Sequence, residues 1–71
     1  MLKLIITFCV EPSTIPTVAD WTEAVNIAKE NNCVVELKWM PNILTGWYHD
    51  YVFGYEDPVE LDAKIPKVYG V

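Results

Sequence analysis

Residues 33–55 read CVVELKWMPNILTGWYHDYVFGY, two alternating runs separated by a break that opens on proline and closes on glycine. Over residues 33–40, Cys33, Val35, Leu37 and Trp39 are apolar, while Val34, Glu36, Lys38 and Met40 form a half-polar set. A strand turns successive side chains to opposite faces, so this spacing predicts a strand with one buried face and one mixed face. Residues 41–46 read as a hairpin loop longer than the two-residue types, ending in a glycine that tolerates positive φ. Its apolar pair Ile43 and Leu44 is unusual for a loop tip. Residues 47–55 then predict a further strand, with Trp47, His49, Tyr51, Phe53 and Tyr55 on one side and Tyr48, Asp50 and Val52 on the other. Gly54 is expected to mark a bulge.

Six of the nine aromatic residues fall between Trp39 and Tyr55. Because they occupy both odd and even positions, one core cannot take all of them. Trp39 belongs with Cys33, Val35 and Leu37 and is expected to pack on Trp21. The surplus rings are expected to face outward, where Trp and Tyr supply rigid, amphipathic contact area.

Working outward, Leu2, Leu4, Ile6, Phe8 and Val10 alternate with Lys3, Ile5, Thr7 and Cys9, which suits a strand central to a small sheet. This start is too short for a membrane span and lacks a cleavage-site pattern, so cytosolic residence is the default expectation. Pro12 and Pro16 make the next stretch a stiff connector. A helix is predicted after Thr17, capped by that hydroxyl with Asp20 three residues on. Val18, Trp21, Ala24, Val25 and Ala28 form its apolar stripe, and Asp20, Glu23, Ile27 and Glu30 its outward side. Asn31 and Asn32 supply the stop.

Residues 58–65 admit two readings. Asp57 as cap, Pro58 in the first turn and Glu60 favour a short helix; alternation of Val59, Leu61, Ala63 and Ile65 favours a strand. Pro66 ends either element, and residues 68–71 offer a further edge strand or a loose end. The fold class expected is α+β: a single domain over residues 1–71, with one helix packed on a three- to four-stranded, mainly antiparallel sheet in the order β-α-β-β plus a short C-terminal element. The helix between the first two strands permits a parallel crossover or a return at the opposite edge.

Charge narrows the function. Ten Asp and Glu stand against five Lys, with no Arg, for a net charge of −5. Arg is the usual reader of phosphate and guanine, and five scattered Lys make no phosphate-tracking groove, so direct nucleic-acid binding is disfavoured. An acidic surface favours basic protein partners. Cys9 and Cys33 are too few for a disulfide framework and lack metal-ligand spacing; both are expected to stay reduced as small hydrophobes, one bridge between adjacent strands being the lesser alternative. One His, two separated Cys and scattered carboxylates make no metal site, and no cofactor motif is present. His49 and Asp50 are adjacent on a strand and therefore point apart, which argues against acid-base cooperation. Glu56, Asp57, Glu60 and Asp62 read first as a solvated acidic turn with capping duties.

No stretch carries a motif that assigns a role by resemblance. The function expected is a non-enzymatic protein-binding module, a small acidic inhibitor or adaptor docking on a larger protein through Ile43, Leu44, Trp47, Tyr48, Tyr51 and Tyr55. Glu56, Asp57 and Glu60 would steer a basic partner. Together with Asp20, Glu23 and Glu30 these acids also suggest imitation of a phosphate row, as in a phage or mobile-element inhibitor of a host nuclease, restriction or CRISPR complex acting in the host cytoplasm. The alternative is a homo-oligomeric structural protein, in its smallest form a homodimer, whose aromatic sheet face is the self-association interface. An enzyme completed by a second subunit is the third class.

Overall fold

The computed structural model describes residues 5–44 and 46–64. Three strands and two helices follow in the order β1 (Ile5–Cys9), α1 (Val18–Asn31), β2 (Val34–Trp39), β3 (Tyr48–Val52) and α2 (Pro58–Lys64). The fold is a mixed α/β arrangement with a three-stranded mixed sheet in the order β1-β2-β3. β1 runs parallel to β2, with Thr7 opposite Glu36 and Cys9 opposite Lys38. β3 runs antiparallel to β2, with Glu36 opposite Tyr51 and Trp39 opposite Tyr48. Of the two options for the first connection, the chain takes the parallel crossover. The order β-α-β-β with a short C-terminal element is as expected, and the expected antiparallel pairing holds for β2 and β3, while β1 and β2 make the sheet mixed.

The central strand is β2, not the first strand of the chain. Its alternation is the cleanest in the sequence, and Val35, Leu37 and Trp39 are buried beneath α1. β1 lies at the edge, where its second face needs no cover. Apolar patterning on one face does not distinguish a central from an edge strand; the number of neighbours does. The expected fourth strand over residues 68–71 lies outside the described residues.

Local chemistry sets the helix bounds. The Asp20 carboxylate accepts the Thr17 backbone N–H at 2.8 Å, the reciprocal half of a capping box. At the other end Asn32 adopts φ 46°, while Asn32 and Cys33 donate their N–H groups to the Lys29 and Ala28 carbonyls. These are the two bonds of a Schellman motif, and Asn tolerates the left-handed turn it needs. Trp21, Ala24, Val25 and Ala28 are buried as the stripe requires. Val18 is exposed in the first turn, ahead of the sheet, and Ile27 of the nominal outer side packs partly against the core.

Two expectations change after β3. The strand stops at Val52, and residues 53–56 form a turn closed by the Glu56 N–H to the Phe53 carbonyl at 3.2 Å. Gly54 sits in this turn against α1, not in a bulge: a Cβ there would stand 3.1 Å from the Lys29 Cα. Residues 58–64 are helical, with Asp57 Oδ1 accepting the Val59 N–H at 2.9 Å. Leu61 is the buried residue that fixes α2 against α1. Residue 65 lies beyond the described part of this element.

Trp21 and Trp39 meet edge to face with ring centroids 5.9 Å apart, joining helix to sheet at the centre of the core. Among the described residues neither indole N–H has a hydrogen-bond partner.

Candidate functional site

All helical cover lies on one side of the sheet, because the buried residues of β2 and β3 alternate with the others. Neither described helix covers the opposite face, which is open among the described residues. Register places three rows on it: Ile5 beside Val34, then Thr7, Glu36 and Tyr51, then Cys9, Lys38 and His49. Trp47 adjoins the last row at the mouth of the loop.

Glu36 organises the middle of this face. Its Oε1 accepts the Thr7 hydroxyl at 3.2 Å, and its Oε2 accepts the Tyr51 hydroxyl at 3.3 Å. His49 Nδ1 lies 3.3 Å from the same Oε2. Groups from all three strands thus converge on one carboxylate. Partial desolvation pushes the Glu36 carboxyl up, but hydrogen bonds from Thr7, His49 and Tyr51 and the charge of His49 together outweigh it and hold it below the usual range. Beside this cluster the Lys38 ammonium stands 5.3 Å from the Trp47 ring centroid, a cation–π contact that orients the indole.

A depressed carboxylate has a definite sign in stability. The stabilisation from Glu36 is complete above the ordinary carboxylate range and is lost as pH falls through its lowered folded value, where protonation removes the acceptor. The urea midpoint of Glu36→Gln is therefore expected below that of the wild type at about pH 7, with the gap closing as the solution is acidified through the lowered folded value. A constant gap would remove the carboxylate charge from the explanation.

The residues singled out in the sequence separate into four places. Ile43 and Leu44, at the loop tip, are 80% and 89% exposed. Trp47 and Tyr51 lie with the open face, 42% and 48% exposed. Tyr48 is on the other side: it pairs with Trp39 and stacks on that ring at 5.6 Å and 19°. At 36% exposed it still reaches solvent, but on the helix side of the sheet, so it does not share a face with Tyr51. Tyr55, 84% exposed, belongs to the turn before α2 and stacks on Phe53 at 5.6 Å. The acids beside it have local tasks. Glu56 Oε2 accepts the Phe53 N–H at 2.9 Å, Asp57 caps α2, and Glu60 lies in the first turn of that helix.

His49 and Asp50 point apart as expected, His49 to Glu36 and Asp50 to the Tyr51 N–H at 2.9 Å. Cys33 is buried, whereas Cys9 is exposed on the open face; both are free thiols, so the expectation of two buried cysteines holds for one. Sequence reading missed Glu36 as the hub. Its only signal was a carboxylate centred on the half-polar face of the best strand, and its three partners arrive from two other strands. Among the described residues no group of three His, Cys, Asp or Glu side chains is placed to hold a metal ion, and no helix is long and apolar enough to cross a membrane.

Comparison with known families, curated proteins and solved structures finds no match for this chain.

Proposed function

We propose that this chain is a non-enzymatic protein-binding module that docks the open sheet face and the adjoining loop onto a larger protein. The observation that carries the reading is the exposure of Trp47 and Tyr51 on a face that neither helix covers, with Ile43 and Leu44 projecting from the neighbouring loop. Both rings are held by their neighbours, Trp47 by Lys38 and Tyr51 by Glu36. Rings ordered before binding lose little freedom on contact, which is what an interface anchor requires. In this reading the Glu36 cluster is a scaffold for recognition, and its position on an uncovered sheet face suits that role better than proton transfer, which needs substrate enclosed and aligned.

The net charge of −5 favours a basic partner surface and raises encounter rates with it. Action as an inhibitor or adaptor in the cytoplasm, including occupation of a basic nucleic-acid groove, is the concrete form proposed. Tyr51→Ala is expected to leave the circular-dichroism melt nearly unchanged and to weaken capture of the partner by at least about 1 kcal/mol. Capture from the native host with wild-type bait, followed by titration of the purified partner with both forms, measures this. Unchanged affinity, or a matching loss of folding, removes Tyr51 from the docking surface. A ternary complex of this chain, its partner and DNA or RNA would exclude groove occupation.

A further inference from the structure

The two edges of the sheet are finished differently. Along β3 the odd residues direct their backbone groups away from β2: the Tyr51 N–H is taken by a side chain of its own strand, which leaves residues 48, 50 and 52 to exchange bonds with Trp39, Leu37 and Val35. That edge is blocked by carboxylates. Asp50 takes the Tyr51 N–H and Glu56 takes the Phe53 N–H, each at 2.9 Å. Spending side-chain acceptors and negative charge on an edge is a recognised defence against strand addition.

Among the described residues β1 has no such defence. The Val10 N–H donates to the Lys38 carbonyl at 2.8 Å, so the even residues of this strand face β2 and Ile5, Thr7 and Cys9 turn their N–H and C=O groups outward. No described residue pairs with them. The strand IITFC carries no charge in a chain of net charge −5, which makes it a segment where two copies meet with little repulsion. Its helix-side residues are also incompletely covered. α1 packs on β2 and β3 and barely reaches β1, leaving Ile6 and Phe8 only partly buried.

We propose that β1 pairs antiparallel with β1 of a second copy about a two-fold axis through Thr7, joining two sheets into one of six strands. The outward pattern fixes the register. Thr7 opposes Thr7 of the second copy and Ile5 opposes its Cys9, each a hydrogen-bonded pair, while Ile6 meets its Phe8 on the helix side and covers the apolar surface that α1 leaves. The interface is isologous and closes at two, since among the described strands the other edge is blocked. It leaves Trp47 and Tyr51 exposed, so it is independent of the docking reading and would present that surface twice.

Crosslinking tests the register directly. Opposed hydrogen-bonded residues have Cα atoms about 5.5 Å apart, inside the range a disulfide spans. The native Cys9 thiols would sit four residues out of register, about 14 Å apart along the strands. With diamide as oxidant, Ile5→Cys is expected to form a covalent dimer through Cys9 of the second copy, the wild type none, and Ile5→Cys with Cys9→Ser none. In light scattering over a dilution series the wild type is expected to be dimeric, and Thr7→Lys to raise the dissociation constant at least about tenfold by setting two ammonium groups across the axis. Circular dichroism checks that this variant keeps its fold; if it does not, the crosslink decides. A monomeric wild type at all concentrations, or a dimer in which Ile5→Cys gives no Cys9-dependent bond, overturns the proposal.

Discussion

Trp21→Ala is expected to leave the chain largely unfolded at room temperature, because this side chain is at once the largest fully buried group and the bridge between the two layers. Trp21 is fully inaccessible and meets Trp39 edge to face at 5.9 Å. Removing a buried Trp costs roughly 3–5 kcal/mol in lost burial and residual cavity. A single core in a domain this small supplies about the same. Collapse around the cavity offers little relief, since Val35, Leu37 and Val52 are themselves fully enclosed and anchored in the sheet. Trp21→Phe should behave quite differently. It deletes part of the ring but also removes a buried indole N–H that has no acceptor, and such an orphan costs roughly 1–3 kcal/mol. Far-ultraviolet circular dichroism and urea midpoints of the two variants make the comparison. A cooperative Trp21→Ala melt within a few degrees of the wild type would show that the core is not centred on this residue.

Gly54→Ala carries the second-largest expected loss. A Cβ at residue 54 would lie 2.9 Å from the Lys29 Cγ and 3.1 Å from both the Cα and the N of Lys29. The side-chain carbon can swing away, but the backbone atoms belong to the last turns of α1 and cannot. Separating the turn from the helix to admit a methyl group is overpacking, at about 1–3 kcal/mol. Gly46 provides the contrast. It has φ +74° and open space around its Cα, so it is required for conformation and not for room. Asn tolerates that backbone region, hence Gly46→Asn is expected to melt close to the wild type, whereas Gly54→Asn should lose at least as much as Gly54→Ala. Equal losses at both positions would contradict the assignment of two different roles.

These two glycines illustrate where sequence reading stops. A hairpin loop needing a left-handed residue is visible at residues 41–46, because the strand patterns on either side require a reversal. Nothing in the sequence states that the chain after β3 passes within contact distance of Lys29. The bulge expected at Gly54 answered the right question, why a glycine is there, with a local cause where the actual one is tertiary. Tyr48 and Tyr51 repeat the lesson. Both read as surplus rings, and strand alternation puts them on opposite faces, yet only the placement of α1 determines that Tyr48 stacks on Trp39 at the rim of the helix side while Tyr51 lies on the open face. Glu36 shows it for polar groups, since Thr7, His49 and Tyr51 stand 29, 13 and 15 residues from it in the chain.

What the sequence determined by itself is local: the capped ends of α1, the stop at Asn32, the buried face of β2, the hairpin and its glycine, and an acidic surface poor in phosphate-binding groups. Each follows from interactions within a few residues or from a period of 2.0 or 3.6. Tertiary structure decided which strand is central, which sheet edge is blocked, which rings reach solvent and which carboxylate three strands share. Those outcomes depend on one crossover taking the parallel route and on where one helix comes to rest. Backbone propensity and side-chain spacing are nearly indifferent to both, so only the packing of the whole chain resolves them.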